Sequence, residues 1–435
     1  MVNKLKRASI LGGLVTGSIA MAACGGGGNG DASGPGNGSS GSGYESVTIA
    51  AEPWMIEKLG FPAMAEAFTE DTGIEVNVVE YADPEALSSF SLQWKTGSAD
   101  QDLVVVDGAS TGVQFLEQDL IVDFNETGVF SGPLTKEDFV GEALAFNEKD
   151  GVQFSLPIGL ETYNISANKS FFEDADLLTS DGEMPTFEDW EAVYDAAKAI
   201  YEDTGNPGMT IQWGPNAFST MLSVEQAVRG DFYGPDGMTV TFDTEEMREV
   251  FSIWKRGVDE GVFSTDTFSN KDAGRSNYNA GGLAMLLETA AHVPEAAPDI
   301  GEDNAVLIQM PGSDQNGSYG FSAGIVMPKA SENQEVAVQF LQEAVMTDLQ
   351  VEPGLEWGKL PVIKSAFDEI DADWKDGMYE TVQLSVPAPM YPDLVKIQDR
   401  SKQMLQEYLT GSENDPDDFI GKLENLFDES NLGIE

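Results

Sequence analysis

One histidine and one cysteine among 435 residues limit the chemistry open to this chain. A lone His292 excludes a histidine-rich metal site and a Ser-His-Asp relay, and a single imidazole fits a core or surface position better than a ligand role. No metal and no cofactor are expected. What remains is non-covalent chemistry, carried by carboxylates set beside aromatics. Glu52 and Trp54 flank Pro53 directly after the apolar run Val47–Ala51, and Asp107 and Ser110 follow the apolar run Leu103–Val106. A carboxylate accepts hydrogen bonds, and an indole offers a flat apolar face. Asp107 could equally cap its own turn. Trp54, next to a proline and outside any periodic stripe, suits an open position better than a core.

These residues need elements to hold them. Val47–Ala51, the alternating Ile74–Tyr81 and Leu103–Val106 read as strands, with helical spacing over Pro62–Thr69 and Pro84–Lys95 between them. That alternation makes parallel βαβ units, and fully apolar strands suit a sheet covered on both faces. Ligands of such open sheets bind at the carboxyl ends of the strands, where Glu52 and Asp107 begin their loops. A second unit of the same style follows. Phe154–Pro157 reads as extended, and Met209–Trp213, Leu283–Leu287 and Val306–Met310 as strands. A helix capped at Thr186 carries Trp190, Val193, Tyr194, Ala197, Ile200 and Tyr201 on one stripe, so these aromatics read as core. Glu245–Val258 and a last helix from Asp415-Pro416, burying Phe419 to Phe427, complete an α/β chain without internal repeats.

The first 43 residues differ in kind. Met1–Arg7 is basic, Ala8–Ala20 is uncharged and mostly apolar, and Cys24 follows Met21-Ala22-Ala23. The apolar run falls short of the ~20 residues that span a membrane and reads as a secretory signal, residues 1–23. Cys24 sits where bacterial lipoproteins carry their lipidated first residue, although Met21 replaces the usual leucine. A Gly/Ser-rich tether then runs over 24–43. The mature chain is therefore expected outside the cytoplasm, anchored by lipid to the outer face of the cytoplasmic membrane. Seventy-five acidic against 23 basic side chains give a net charge of −52. That balance opposes binding to nucleic acid or to anionic lipid surfaces, and a salt-rich habitat would screen its self-repulsion.

The order of motifs resembles the extracellular solute-binding proteins of family 1, the receptors of ABC importers typified by maltose-binding protein. Phe68–Val76 (FTEDTGIEV) matches the family's F-x-x-x-T-G-I-x-V turn, and Gln101–Asp107 resembles its P-D-[VI]-[VI] strand with Gln101 for the proline. Leu120–Asp123 is similar to its G-x-L-x-[DE] stretch. Leu156-Pro157 with Asn168–Phe172 resembles L-P … Y-N-K-x-x-F, with Ala167 for the tyrosine. Pro185–Trp190, Gly281–Met285, Gly324–Ser331 and Leu360–Ser365 are similar to four further family stretches.

The resemblance implies a two-lobed periplasmic-binding-protein fold with three hinge crossovers and a ligand cleft between the lobes. Residues 44–155 plus 306–347 would form lobe 1, and 156–305 plus 348–435 lobe 2. It also selects loops, within which chemistry selects residues. Glu161 falls at a cleft glutamate position, with Tyr163 beside it. Trp213, Asn216 and Phe218 fall on a sugar-stacking loop, Glu288 on another together with His292, and Trp357 and Tyr391 in the C-terminal third. With Glu52, Trp54, Asp107 and Ser110 they form the candidate site. Glu161 could instead be a solvated hinge residue, and Trp357 and Tyr391 core.

Carboxylates with aromatics suit a sugar or oligosaccharide, whose hydroxyls donate and whose ring faces stack. The implied role is a monomeric, non-catalytic receptor that captures the solute by lobe closure and passes it to permease subunits on separate chains, since no GxxxxGK[ST] phosphate loop occurs. A cationic solute such as a polyamine or quaternary amine is the alternative, because the same residue types build cation cages. A surface-anchored glycoside hydrolase is the alternative of another class, and it would need two carboxyl groups about 5–9.5 Å apart across the scissile bond.

Overall fold

A computed structural model describes residues 46–82, 84–141, 143–212, 217–391, 394–412 and 414–429. The expected signal, Cys24 and tether lie outside these residues, as do Trp213 and Asn216. Nine strands form the main sheet: β1 (Ser46–Ala51), β2 (Glu75–Glu80), β3 (Leu103–Val106), β4 (Leu156–Asn168), β5 (Met209–Ile211), β6 (Phe263–Ser264), β7 (Met285–Thr289), β8 (Ala305–Ile308) and β9 (Gly320–Val326). Their order is β2-β1-β3-β9-β4-β7-β5-β6, with β8 also paired to β4.

β4 organises the molecule. Residues 156–162 pair antiparallel with β9, which continues through β3 to the parallel β1 and β2. Residues 163–168 pair instead with β7 and β8, and β7 continues to the parallel β5 and β6. One strand thus belongs to two half-sheets, and all 13 of its residues are buried. The sequence reading ended this strand at Pro157. Proline is tolerated there because β4 has a strand on only one side at that point, so no ladder donor is missing.

Each half has its own core. In the first, Val47, Ile49, Ala51, Leu103 and Val105 face one layer, while Ala50, Val104 and Val106 face the other. The period of two buries both faces, as expected of parallel strands under helices. In the second, Ile165, Met209, Ile211, Met285 and Leu287 pack with Trp190, Trp254 and Phe251, while Leu286 faces Tyr278 and Ala296. The segment 348–435, expected in one lobe, divides between them. Leu360, Ile363, Trp374 and Met378 pack on the first core, and Tyr391, Leu394 and Phe419 on the second. β8 pairs in the second half, so the chain returns to the first at β9 rather than at 306.

The helix expected to be capped by Thr186 spans Trp190–Thr204, with Asp189 as its cap accepting from the Ala192 N–H at 2.8 Å. Its stripe is core as read. Trp190 is 3% exposed and meets Trp254 edge-on with centroids 5.7 Å apart. Trp190→Ala should therefore lower unfolding free energy by about 3–5 kcal/mol in urea titrations; a loss below ~1 kcal/mol would place this ring outside the core.

Candidate functional site

Glu161 and Tyr163 lie at the junction within β4, and Asp107, Glu52 and Lys359 act on one another electrostatically beside it. Glu52 leaves β1 extended, and Pro53 opens the short helix Pro53–Lys58, whose Trp54 indole N–H donates to Glu52 Oε2 at 2.9 Å. Both side chains are half-buried. Asp107 leaves β3 beside Gly108, whose φ of +83° no ordinary side chain adopts readily; a Cβ there would also sit 3.0 Å from the Phe321 ring. Ser110 lies in the first turn of the helix Ala109–Leu116. Tyr81 closes this wall by donating to the Val105 carbonyl at 2.5 Å.

Asp107 is open to solvent yet surrounded by protein, and among the described residues it has neither a hydrogen bond nor an ion pair. Loss of water raises its carboxyl above the usual range, and Glu52 adds to this, while Lys359 and Arg275 oppose it. Glu52 stands in the first half and Arg275 in the second, so Asp107 senses charge from both.

The floor is an ion pair. Glu161, 5% exposed, is in direct contact with the Lys359 ammonium, itself 6% exposed. Paired Leu160 and Leu360 backbones, with N–H to carbonyl distances of 2.8 and 3.0 Å, bring the two side chains together. Lys359 also lies 5.7 Å from the centre of the Trp54 ring. Burial pulls this ammonium down, as does Lys58, whereas Asp107 favours its charge. Glu161 thus sits at the junction, as the hinge position implied, but already paired.

The second wall carries Tyr163 and Tyr319, 6.1 Å apart edge-on and both hydrogen-bonded to Ser219. Burial raises the Tyr163 hydroxyl far above its ordinary range and Tyr319 to about 12. Glu288 reaches this wall through Arg275, whose Nε donates to it at 2.9 Å and whose Nη2 makes a second contact. Its other neighbour is His292, which lies 2.9 Å from Glu295 on the far side. Glu288 and Glu295 hold at about 2, although burial acts against them, because His292, Arg275 and Lys58 stand alongside; the same two carboxylates lift His292 to about 9.

Three candidates stand elsewhere. Phe218 is fully buried between Phe242 and Phe427, in the core of the second half. The Tyr391 hydroxyl is spent on backbone, donating to Met238 and accepting from Val240. Trp357 lies to one side, under the Lys58 ammonium at 4.3 Å. The sequence reading missed Lys359, Arg275, Tyr81 and Tyr319. The two cations carried a faint signal, since basic residues are scarce in this chain, but nothing local marked them. A cavity of about 210 Å³ lined by Glu188, Trp190, Glu249, Val250 and Pro311 shares no residue with this group. Among the described residues no cluster fit to hold a metal occurs, and no helix is long and apolar enough to cross a membrane.

His292 gives this network a pH signature. Its folded value of about 9 exceeds the unfolded ~6.5, so its stabilisation is full below ~6.5 and is lost as pH rises towards 9. Glu288 and Glu295, lowered to about 2, add stability that is lost as pH falls below ~4.5. Chemical denaturation from pH 6 to 9.5 should show a decline that His292→Gln flattens, by up to about 3 kcal/mol. Equal slopes in both proteins would remove His292 from the network.

The geometry agrees with comparisons to other proteins. Residues 63–379 match the family described as bacterial extracellular solute-binding protein. No curated protein matches by sequence. The GacH receptor of Streptomyces glaucescens superposes with a TM-score of 0.73 at 18% identity, over 88% of this chain and 97% of that one. MalE3 of T. maritima, solved with maltose, gives 0.71 at 15%, over 88% and 99%. Lmo0181 of Listeria monocytogenes, an ABC substrate-binding protein solved with cycloalternan, gives 0.72 at 18%, over 90% and 100%. These likenesses establish the two-lobed binding-protein fold, and the chain belongs to the bacterial extracellular solute-binding proteins.

Proposed function

We propose that this protein is the receptor of an ABC importer, held outside the cytoplasmic membrane by a lipid on Cys24, and that it binds a sugar or oligosaccharide at the β4 junction. One observation carries the reading: the carboxyl of Asp107 on one half feels Glu52 of its own half, Arg275 of the other, and Lys359 of the buried Glu161–Lys359 pair. Glu52 and Asp107 offer hydrogen-bond acceptors beside the Trp54 indole, and the 31% exposed Arg275 guanidinium offers donors. A polyhydroxylated ring uses both. Structural neighbours solved with acarbose, maltose and cycloalternan support the carbohydrate class. Lys359 and Arg275 already hold Glu161 and Glu288, so the sugar reading rests on the donors they add beside Glu52 and Asp107 rather than on repulsion of a polyamine. Residues 46–155 with β9 would move as one lobe and 163–308 as the other, and a ligand touching both favours the closed form.

Calorimetry with maltose, maltotriose, a cyclic glucan and spermidine tests the assignment. At least one carbohydrate should bind and leave as intact sugar, and spermidine should not bind. A charged acceptor bond in a water-poor cleft is worth ~1.5–3 kcal/mol. Asp107→Asn and Trp54→Ala should therefore each weaken binding by about ten- to a hundredfold. Spermidine binding without any carbohydrate binding would reverse the substrate class.

A further inference from the structure

Beside the cleft lies a chain of charges that the proposed function leaves unused. Lys58 ends the helix Pro53–Lys58, which follows β1 and sets Met55 and Leu59 into the first core. Its ammonium lies 4.3 Å from the centre of the Trp357 ring and is in direct contact with the Glu295 carboxylate. Glu295 belongs to the helix His292–Ile300, which connects the second-half strands β7 and β8; its Ala296 covers Leu286, while Val293, Ala297 and Ile300 pack against the first core. Lys58 therefore stands on the first half, and Glu295 on a connection of the second half that lies against it. Their side chains are 26% and 14% exposed, so the pair is only partly screened by water.

Glu295 is fixed from behind. His292 Nδ1 lies 2.9 Å from its Oε2, and Asn279 Nδ2 donates to the same oxygen at 3.2 Å. His292 is in turn held by Glu288, and Glu288 by Arg275, with Asp272 3.9 Å beyond. The backbones meet tightly alongside. Gly358 at φ +59° leaves room for Ala290 and Ala291, and a Cβ on it would come within 2.9 Å of both. Lys359 is a further charge nearby, and Lys58 disfavours it.

We propose that the Lys58–Glu295 pair is a latch between the two halves that sets the ratio of closed to open protein before any solute binds. His292 is its positioning residue: it orients Glu295 towards Lys58 and Glu288 towards Arg275, linking the latch to the second wall of the cleft. Opening the halves separates Lys58 from Glu295 and returns both charges to water. Closing brings the ammonium, already stacked on Trp357 of its own half, onto a carboxylate held in place. The latch rests on the reading of the chain as a lobe-closing receptor. It adds that closure is electrostatically biased, and so salt-dependent, without ligand.

Small-angle scattering of the sugar-free, otherwise full-length protein with Cys24→Ser, in 20 mM and 500 mM salt, tests this. Lys58→Met and Glu295→Gln should increase the radius of gyration at low salt, reflecting a fall of about five- to thirtyfold in the closed-to-open ratio. Lys58→Arg, which keeps the charge and the stacking, should behave as the parent. High salt should move the parent towards Lys58→Met and leave that variant unchanged. Thermal melts verify that each variant is folded, and Glu295→Gln serves if Lys58→Met is not. Parent-like scattering from folded Lys58→Met or Glu295→Gln overturns the latch. So does failure of Lys58→Arg to restore compactness, since packing would then be the cause. A parent that binds no carbohydrate but responds to these substitutions contradicts the proposed substrate and leaves the latch standing.

Discussion

Everything depends on one strand serving two sheets. β4 is 13 residues long and wholly buried, yet it changes partners between Thr162 and Tyr163. Residues at such a change of partner cannot be purely apolar, because the two half-sheets diverge there and leave polar space. Glu161 occupies that point and is matched by Lys359, delivered by the paired Leu160 and Leu360 backbones. Removing one member would leave the other charged and poorly solvated, which is costlier than losing the pair. The junction is thus held by covalent continuity and by charge at once. Lys359 of this pair and Arg275 of the second half both act on the Asp107 carboxyl.

Scarcity gives the cations their meaning. With 23 basic against 75 acidic side chains, carboxylates far outnumber the cations available to pair with them, and salt weakens their mutual repulsion. Against that background Lys359, Arg275, Lys58 and His292 are gathered around one region, each against a carboxylate. Each of these cations thus meets a buried or half-buried carboxylate inside a strongly acidic molecule, and among the described residues Glu52 and Asp107 are the acids of the site without an ion pair.

Much of the fold was legible where periodicity was unbroken. The apolar run at β3, the alternation at β2 and the stripe from Trp190 to Ile200 all fall in the elements they implied. Legibility failed where tertiary pairing overrode local pattern. β4 beyond Pro157 contains Gly159, Glu161, Asn164 and Asn168, polar or flexible residues with no strand period, which are strand because β9, β7 and β8 pair with them in turn. The helix cap fell to Asp189 rather than Thr186 because the nearer carboxylate reaches the free N–H groups. In the site, strand ends pointed to Glu52 and Asp107 correctly as loop positions. Phe218 shows the opposite case: it is the second residue of the helix Ala217–Arg229 and is turned into the core, and no single residue type signals that orientation. Lys359 and Arg275 were invisible because their counter-charges come from distant β4 and β7.

The central claim is that one solute bridges the two halves at the β4 junction. Hydrogen–deuterium exchange with and without saturating maltotriose, or whichever carbohydrate calorimetry identifies, tests it most directly. The account predicts added protection in segments from both halves together: 52–58 and 107–112 on the first, 161–165 at the junction, and 273–279 on the second. Protection confined to one half, or centred on the cavity beside Trp190, would contradict it.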